Sequence, residues 1–297
     1  MGLQSKNEMD QDDPAGLMVS YIQKMRANYS SPENLKITPD NVFQEGITRN
    51  LNLFMEFVDR LMLPGSRVEG AANLLPSIKL LKQKKSFLFL MKHQGNFDAP
   101  CFYSLLKREG EQYQDILNRL VFIAGRKLNE DSIVVKTFAE ILSRLIIVPK
   151  REIPLKIASE TEEQVAQREQ IETEARRINR AALRMLKKLK DESRIIVLYP
   201  LGGRPKPWLQ EKGVKETTSY MRMFDYIHFI TMAGNVLEVR RDMREEKPRR
   251  DQVVFTISEA VLTEEYLCQS RDLYEKQTEE ADFDQFNVNR VMKEIGQ

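Results

Sequence analysis

An imidazole and a carboxylate follow a short apolar run in the first third of the chain. His93 and Asp98 come shortly after residues 87–91, whose sequence Phe-Leu-Phe-Leu-Met predicts a buried strand. Residues 94–96 (Gln-Gly-Asn) predict a turn, and residues 99–106 can begin a helix. The pair is therefore expected where a strand leads into a helix, which is where open α/β sheets carry their active sites.

These two residue types together can perform general base catalysis. Histidine titrates near neutral pH and can take a proton from a hydroxyl when a carboxylate on its second nitrogen holds the ring. We therefore expect His93 to be a general base and Asp98 its orienting partner. The N–H groups of Gly95 and Asn96 are expected to stabilise an oxyanion. The alternative is a surface turn whose Asp caps a helix, because this spacing also arises by chance.

A second predicted strand, 195–199, ends in a glycine turn followed by cations. Gly202 and Gly203 permit a close approach of the backbone to a substrate. Arg204 offers a planar fork and Lys206 a mobile point charge. Glycines and cations in this order predict a loop that binds a phosphate group.

A third run, 145–148, ends in Lys150 and Arg151. A basic pair after a single strand is in most proteins a solvated surface. Three strand ends that carry functional side chains are harder to explain in that way. We therefore expect these cations to belong to the same site as His93.

Composition limits the classes of function. The chain has 297 residues, 41% hydrophobic and 30% charged, as expected for a globular protein with one large or two modest domains. Its formal net charge of +2 gives no reason to expect a nucleic-acid partner. Cys101 and Cys268 form neither a metal-ligand spacing nor a disulfide framework, so both are expected to be small core residues.

Hydropathy predicts no membrane anchor. No stretch approaches the roughly 18 consecutive apolar residues that span a bilayer. Residues 1–16 are acidic and polar rather than typical of a signal peptide. We therefore expect a location in the cytoplasm or an organelle stroma, with any membrane contact being peripheral.

The pattern of apolar residues predicts two domains. Residues 1–66 should form a small helical module in which residues 1–15 are disordered. Helical spacing runs over 17–25 and, after a Ser-Ser-Pro break, over 41–62. Residues 67–297 should form an α/β domain.

Within that domain, short apolar runs alternate with helical segments. Strands are predicted at 86–91, 120–124, 145–148, 195–199, 227–232 and 253–258. This alternation predicts the α/β class, with a mixed, largely parallel sheet flanked by helices. An amphipathic helix is expected over 160–190, an exposed loop over 242–251 and a partly helical tail over 262–297. The residues expected to dock that tail are Tyr266, Leu273 and Tyr274.

With these residues identified, the sequence resembles the glycerolipid acyltransferases, the superfamily of glycerol-3-phosphate and lysophosphatidate acyltransferases. Residues 93–98 are similar to the His-x4-Asp signature of that family. Residues 68–70 and 73–76 resemble the segment before the signature, residues 144–151 the second block, and residues 199–204 the third. The blocks follow one another in the family's order.

The third block differs from the usual Pro-Glu-Gly-Thr-Arg form, because Leu201 and Gly203 stand in place of Glu and Thr. This form, together with a helical N-terminal module and no predicted span, is more similar to the soluble, plastid-type glycerol-3-phosphate acyltransferases. The segment 227–230 lacks the proline of the fourth block. His228 is therefore expected to be a strand histidine rather than a second base.

The resemblance implies transfer of a fatty acyl group from a thioester of acyl carrier protein or coenzyme A to a hydroxyl of glycerol 3-phosphate. No cofactor and no metal are implied. The residues that would bind the phosphate of the acceptor are Lys150, Arg151, Arg204 and Lys206. The alternatives are a lysophosphatidate acyltransferase, a thioesterase, and a noncatalytic module that binds lipid or carrier protein.

Overall fold

A computed structural model describes residues 13–28, 36–127, 137, 140–156, 161–206, 212–241, 245–277 and 280–296. Of the segments named above, residues 1–12, the Ser-Ser-Pro break and residues 160, 242–244, 278–279 and 297 lie outside these ranges.

A mixed, mostly parallel sheet of nine strands forms the centre of the described chain. The strands in the described part of the chain are β1 (Phe43–Gln44), β2 (Arg67–Glu69), β3 (Phe87–Met91), β4 (Leu120–Gly125), β5 (Arg144–Ile147), β6 (Ile195–Leu198), β7 (Tyr226–Ala233), β8 (Leu237–Glu238), β9 (Lys247–Pro248), β10 (Val254–Ile257) and β11 (Val261–Leu262). The order in the sheet is β1-β5-β4-β6-β3-β7-β10-β2, and β11 pairs with β7. Strands β8 and β9 form a separate ribbon. The predicted α/β fold class is confirmed.

Five neighbouring strands, β5, β4, β6, β3 and β7, all run parallel. Their C-terminal ends therefore meet at one side of the sheet, which we call the carboxyl edge. The residues after β3, β5 and β6 include every residue that the sequence proposes for the site. The topology thus brings the three motifs to the same edge.

Helices cover both faces of the sheet. They are α1 (Pro14–Arg26), α2 (Thr48–Leu61), α3 (Leu75–Lys82), α4 (Asp98–Arg108), α5 (Gln114–Arg119), α6 (Glu162–Asp191), α7 (Glu216–Met221), α8 (Thr263–Gln277) and α9 (Phe283–Glu294). Strand β3 is buried at every position, with Phe87 and Phe89 in one hydrophobic cluster and Leu88 and Leu90 in the other. A strand that is apolar on both faces is what a central parallel strand requires.

The predicted long helix is confirmed as α6. The Thr161 hydroxyl accepts from the Gln164 N–H at 3.3 Å, and the Gln164 side chain accepts from the Thr161 N–H at 2.9 Å. This capping box satisfies two N–H groups at the start of the helix. One stripe, including Ile178 and Leu186, is buried against the sheet, and the charged stripe is solvated.

The helix expected over 41–62 is shorter than predicted. Residues Phe43–Gln44 form an edge strand antiparallel to β5, and helix α2 begins only at Thr48. Phe43 matches the helical spacing of apolar residues by coincidence, and its pairing with β5 makes it a strand residue instead. Gly46 then passes close to the backbone of residues 141–143, where a Cβ would approach within 2.7 Å.

The first described helix starts earlier than the sequence predicts. Helix α1 starts at Pro14, and the Asp13 carboxylate accepts from the N–H groups of Ala15 and Gly16 at 3.2 and 3.0 Å. Such an N-cap is stabilising by about 1 kcal/mol. The expectation of disorder over residues 13–15 is therefore wrong. Helices α1 and α2 contribute to the same hydrophobic cluster as the sheet, and the division of the chain at residue 66 stays a prediction.

Two expectations about individual residues and one about a segment are corrected. Cys101 is buried as expected, but Cys268 is exposed. Leu273 is 38% exposed, whereas Tyr266 is buried, and Tyr274 packs on two phenylalanine rings of α9. The segment 242–251 is not a simple loop, because its described part includes β9 with a buried Pro248.

Among the residues that the structure describes, no helix is long and apolar enough to cross a membrane.

Candidate active site

The structure brings His93 and Asp98 into direct contact at the end of β3. Nδ1 of His93 lies 2.8 Å from Oδ2 of Asp98, and the imidazole is 13% exposed. With the carboxylate ionised, Nδ1 carries the proton and Nε2 carries the lone pair. That tautomer is the one a general base needs.

The carboxylate of Asp98 is fully buried and is held by the backbone of the turn before it. It accepts from the Gln94 N–H at 2.6 Å and from the Gly95 N–H at 2.9 Å. Asp98 is also the first residue of α4, whose N-terminus favours a negative charge. These donors replace the water that the carboxylate loses on burial.

The role expected for Gly95 is corrected by this geometry. Its N–H donates to both carboxylate oxygens of Asp98, so it holds the orienting residue rather than a substrate oxyanion. A Cβ at this position would be crowded, because it would lie 3.1 Å from Nδ2 of Asn235. Asn96 follows in the same turn and is partly exposed.

The turn after β3 is fastened to the end of β7. Nε2 of Gln94 donates to the Met232 carbonyl at 2.6 Å. Nδ2 of Asn235 donates to the Gln94 carbonyl at 3.3 Å. Two neighbouring strand ends therefore fix the backbone that holds Asp98.

Tyr199 packs on the other side of the base. Its ring lies 4.0 Å from the His93 ring, centroid to centroid, and the planes are 14° apart. Burial, and secondarily the negative charge of Asp98, raises the pKa of Tyr199 well above its ordinary value, so the phenol stays neutral. Tyr199 belongs to the third block, but the sequence does not reveal this contact, because it requires β6 to lie beside β3.

The glycine turn after β6 depends on glycine at residue 202. Gly202 has a φ of 71°, and a Cβ there would lie 2.6 Å from Cγ2 of Val214. Its N–H donates to the Tyr199 carbonyl at 2.8 Å. Gly203 lies under the Arg151 guanidinium, because a Cβ at Gly203 would be 3.1 Å from NH2 of that arginine.

Arg151 joins the ends of β5 and β6. Its NH2 donates to the Gly202 carbonyl at 2.7 Å, and the residue is exposed. The two basic strand ends that the sequence assigns to one site are therefore in contact. A neutral carbonyl partner leaves the positive charge of Arg151 uncompensated by that bond.

The other predicted cations contact carboxylates or are partly buried. Lys150 is 77% exposed and pairs with Glu216 at the start of α7. Burial raises the Glu216 pKa, but the hydrogen bond from Lys150 and other donors outweighs it, so the net pKa is lowered. Arg204 pairs with Glu246, which directly precedes β9, and Lys206 is partly buried in the segment after Arg204.

A further cation at the same edge was missed by the sequence reasoning. Arg126 follows β4, and its N–H donates to the Ile147 carbonyl at 2.9 Å. Its Nε lies 3.8 Å from Oε2 of Glu152, and both side chains are largely buried. A basic pair after an apolar strand, the signal used at residues 150–151, is also present at Arg126 and Lys127.

The second histidine is confirmed as a strand histidine. His228 lies within β7, fully buried, with Nδ1 2.9 Å from the Ser258 carbonyl and Nε2 2.8 Å from the Ser77 hydroxyl. Burial lowers its pKa to about 4, so the ring is neutral at pH 7. Nδ1 therefore donates to the carbonyl and Nε2 accepts from the hydroxyl. The ring satisfies core polar groups.

Cys101 lies on α4, one turn after Asp98, and is not an activated thiol. Burial is the main cause that raises its pKa well above the ordinary value, and the charges of Asp98 and Asp59 raise it further. A reactive cysteine requires a lowered pKa.

No family model and no curated protein match this chain. Among solved structures, the chain is similar to the crystal structure of the 1-acyl-sn-glycerophosphate (LPA) acyltransferase PlsC from Thermotoga maritima. The two share 12% sequence identity with a TM-score of 0.40, and the match covers 95% of this chain and 89% of that chain. The function is therefore inferred from the residues of the site.

Proposed function

We propose that the protein is an acyltransferase that moves a fatty acyl group from a thioester of acyl carrier protein or coenzyme A to a hydroxyl of glycerol 3-phosphate. A continuous series of contacts from a base to a cation carries this proposal. His93 stacks on Tyr199, whose carbonyl accepts from Gly202. The Gly202 carbonyl accepts in turn from Arg151. An acceptor whose phosphate lies near Arg151 could therefore present a hydroxyl to the base. The motif resemblance gives further support.

Proton transfer to His93 begins the proposed reaction. The acceptor hydroxyl gives its proton to Nε2 while its oxygen forms a bond to the thioester carbonyl carbon. The tetrahedral intermediate then collapses as the carbon–sulfur bond breaks, and the thiolate takes the proton from the imidazolium. Asp98 stabilises that imidazolium through Nδ1. The products are an ester and a free thiol.

The oxyanion of the intermediate requires a donor near His93. Gly95 donates to Asp98, so we assign this contact to the N–H of Asn96 in the same turn. Loss of one such donor costs about 3 to 4 kcal/mol of transition-state stabilisation in other enzymes.

The phosphate of the acceptor would bind mainly to arginine. Arg151 is fixed by a carbonyl and a glycine turn, so little side-chain entropy is lost when it binds an anion. Arg204 offers a second fork, and Lys150 and Lys206 add mobile charges. Binding at this position replaces a random encounter of hydroxyl and base with a positioned one.

Thiol release from acyl donors tests the proposal. Acyl carrier protein and coenzyme A thioesters of several chain lengths are incubated with glycerol 3-phosphate, with lysophosphatidate or without an acceptor. We expect release that depends on glycerol 3-phosphate and is abolished in His93→Ala. Asp115→Asn is a matched control, because Asp115 is on α5 and pairs with the partly exposed Arg119.

The other outcomes assign other functions. Release that depends on lysophosphatidate would assign the later acylation step. Release without an acceptor would assign a thioesterase, and no release from any donor would leave a binding module. Undiminished turnover in His93→Ala would rule out the mechanism.

A further inference from the structure

Arg204 and Glu246 form a poorly hydrated ion pair at the carboxyl edge. NH1 of Arg204 donates to Oε1 of Glu246, and the two side chains are only 18% and 5% exposed. Glu246 directly precedes β9, so the ribbon of β8 and β9 positions its carboxylate. A charge withdrawn from water to this extent needs a close partner.

A phosphate that binds Arg204 meets the charge of this carboxylate. A phosphate monoester carries close to two negative charges at neutral pH. Glu246 and the phosphate would both bind the same guanidinium and would repel each other at that distance. This repulsion disfavours the binding of both anions to NH1 at the same time.

The pair at Arg204 differs from the neighbouring pair at Lys150. The side chains of Lys150 and Glu216 are 77% and 36% exposed, so water replaces either partner at little cost. The donor of Arg151 contacts a neutral carbonyl, which does not repel an anion. Competition between a carboxylate and a bound phosphate is therefore strongest at Arg204.

We propose that Glu246 is an internal competitor of the acceptor's phosphate for Arg204 and sets the affinity of the site for phosphate monoesters. The inference rests on the proposed function, because it takes Arg204 as a ligand of that phosphate. Without an acceptor, Glu246 keeps the guanidinium paired and oriented. When a phosphate binds, the carboxylate leaves NH1 and the phosphate replaces it.

Binding of inorganic phosphate tests this inference without an acyl donor. Affinity is measured by titration calorimetry and by the phosphate-dependent rise in unfolding temperature. Glu246→Gln preserves the shape of the side chain and removes its charge. We expect this variant to bind phosphate about tenfold or more tightly than the wild type.

Two further variants make the result specific. Glu238→Gln removes a charge from the same ribbon, where Glu238 pairs with the exposed Arg240, and should change the affinity by less than about twofold. Adding Arg204→Gln to Glu246→Gln should abolish the gain. If Glu246→Gln unfolds without a ligand, added phosphate should restore a cooperative unfolding transition.

Unchanged or weaker phosphate binding in Glu246→Gln would overturn the inference, as would failure of phosphate to restore an unfolded variant. Tighter phosphate binding in a protein that transfers no acyl group would contradict the proposed function and leave this inference standing. Acyl transfer to glycerol 3-phosphate, together with unchanged phosphate affinity in Glu246→Gln, would support the proposed function and overturn this inference.

Discussion

The rings of His93 and Tyr199 lie face to face, with their centroids 4.0 Å apart. Strands β3 and β6 are paired, so the residues that follow them are neighbours at the carboxyl edge. The hydrogen bond to Asp98 fixes the rotation of the imidazole in its own plane, and the stack on Tyr199 fixes the plane itself. Together the two contacts orient Nε2.

The stack predicts a difference between two substitutions of Tyr199. Tyr199→Phe keeps the ring and should change kcat by less than about threefold. Tyr199→Ala removes the stack and should lower kcat by about 10- to 100-fold, because a loosely held base seldom reaches the reactive geometry. Steady-state kinetics with separate kcat and KM values check this. Equal losses in both variants would assign the role to the hydroxyl instead.

The buried carboxylate predicts a large effect for Asp98→Asn. The amide cannot stabilise an imidazolium and favours the wrong tautomer of His93, so kcat should fall by about 10²- to 10⁴-fold. The KM for the acceptor should change little. Circular dichroism verifies folding, because the amide must also accept from Gln94 and Gly95. A fall in kcat of less than about threefold would remove Asp98 from the mechanism.

The lowered pKa of His228 predicts that the fold loses stability in acid. The pKa of His228 is lowered to about 4 in the native state and is near 6.5 in the unfolded chain. The unfolded state therefore binds the proton first, and stability is lost as the pH falls from about 6.5 towards 4. The loss is up to about 3 kcal/mol.

Urea unfolding at pH 7, 5.5 and 4.5 measures this contribution in the wild type and in His228→Gln. The variant should be less stable at pH 7, because it disturbs the contacts with Ser77 and Ser258, but its stability should fall less steeply with acid. Parallel pH profiles would contradict this assignment.

The left-handed conformation of Gly202 predicts a cost for Gly202→Ala. The variant places a Cβ at a φ of 71° and 2.6 Å from Cγ2 of Val214, so stability should fall by about 1 to 3 kcal/mol. Adding Val214→Ala removes the clashing methyl group but not the backbone strain. The double variant should therefore destabilise the protein by less than the sum of the two single changes, as thermal unfolding can measure. If the stability losses of the two single variants simply add in the double variant, a clash between the new Cβ and Val214 is excluded.

The partners of the cations predict a ranking for acceptor binding. Arg151→Ala should raise the KM for glycerol 3-phosphate by about tenfold or more, because a preorganised fork is lost. Lys150→Ala should raise it by about twofold to threefold, because Lys150 is 77% exposed and screened by solvent. Initial rates over a range of acceptor concentrations give both values. A larger rise in KM for Lys150→Ala than for Arg151→Ala would indicate that the phosphate binds closer to α7.

The sequence predicts the core of this fold better than its margins. All six predicted strands form, because each is an apolar run long enough to be recognised. Strands β1, β8, β9 and β11 contain two residues each, which is too short to display a period. Strands β1 and β11 form by pairing with the longer strands β5 and β7, and β8 and β9 form by pairing with each other.

The sequence predicts those parts of the candidate site whose residues belong to a local motif. The spacing of His93 and Asp98 indicates their contact, because a separation of five residues bridges the turn between the end of β3 and the start of α4. No local pattern indicates that Glu246 pairs with Arg204 or that Tyr199 lies under His93. Those contacts depend on strand order and on where a distant ribbon folds back. The sequence also does not show that the Gly95 N–H donates to Asp98, because that contact depends on how the turn folds back onto the start of α4.

The pairing of cations with carboxylates also determines how an anion reaches this edge. Lys150 faces Glu216, Arg126 faces Glu152 and Arg204 faces Glu246, so each of these positive charges is offset locally. The field of such a pair falls off more steeply with distance than that of a single charge, and salt screens the remainder over a Debye length of about 8 Å. Attraction at these pairs therefore acts mainly on contact. Anionic acceptors are therefore attracted from a distance mainly by the exposed Arg151, whose guanidinium donates to a neutral carbonyl.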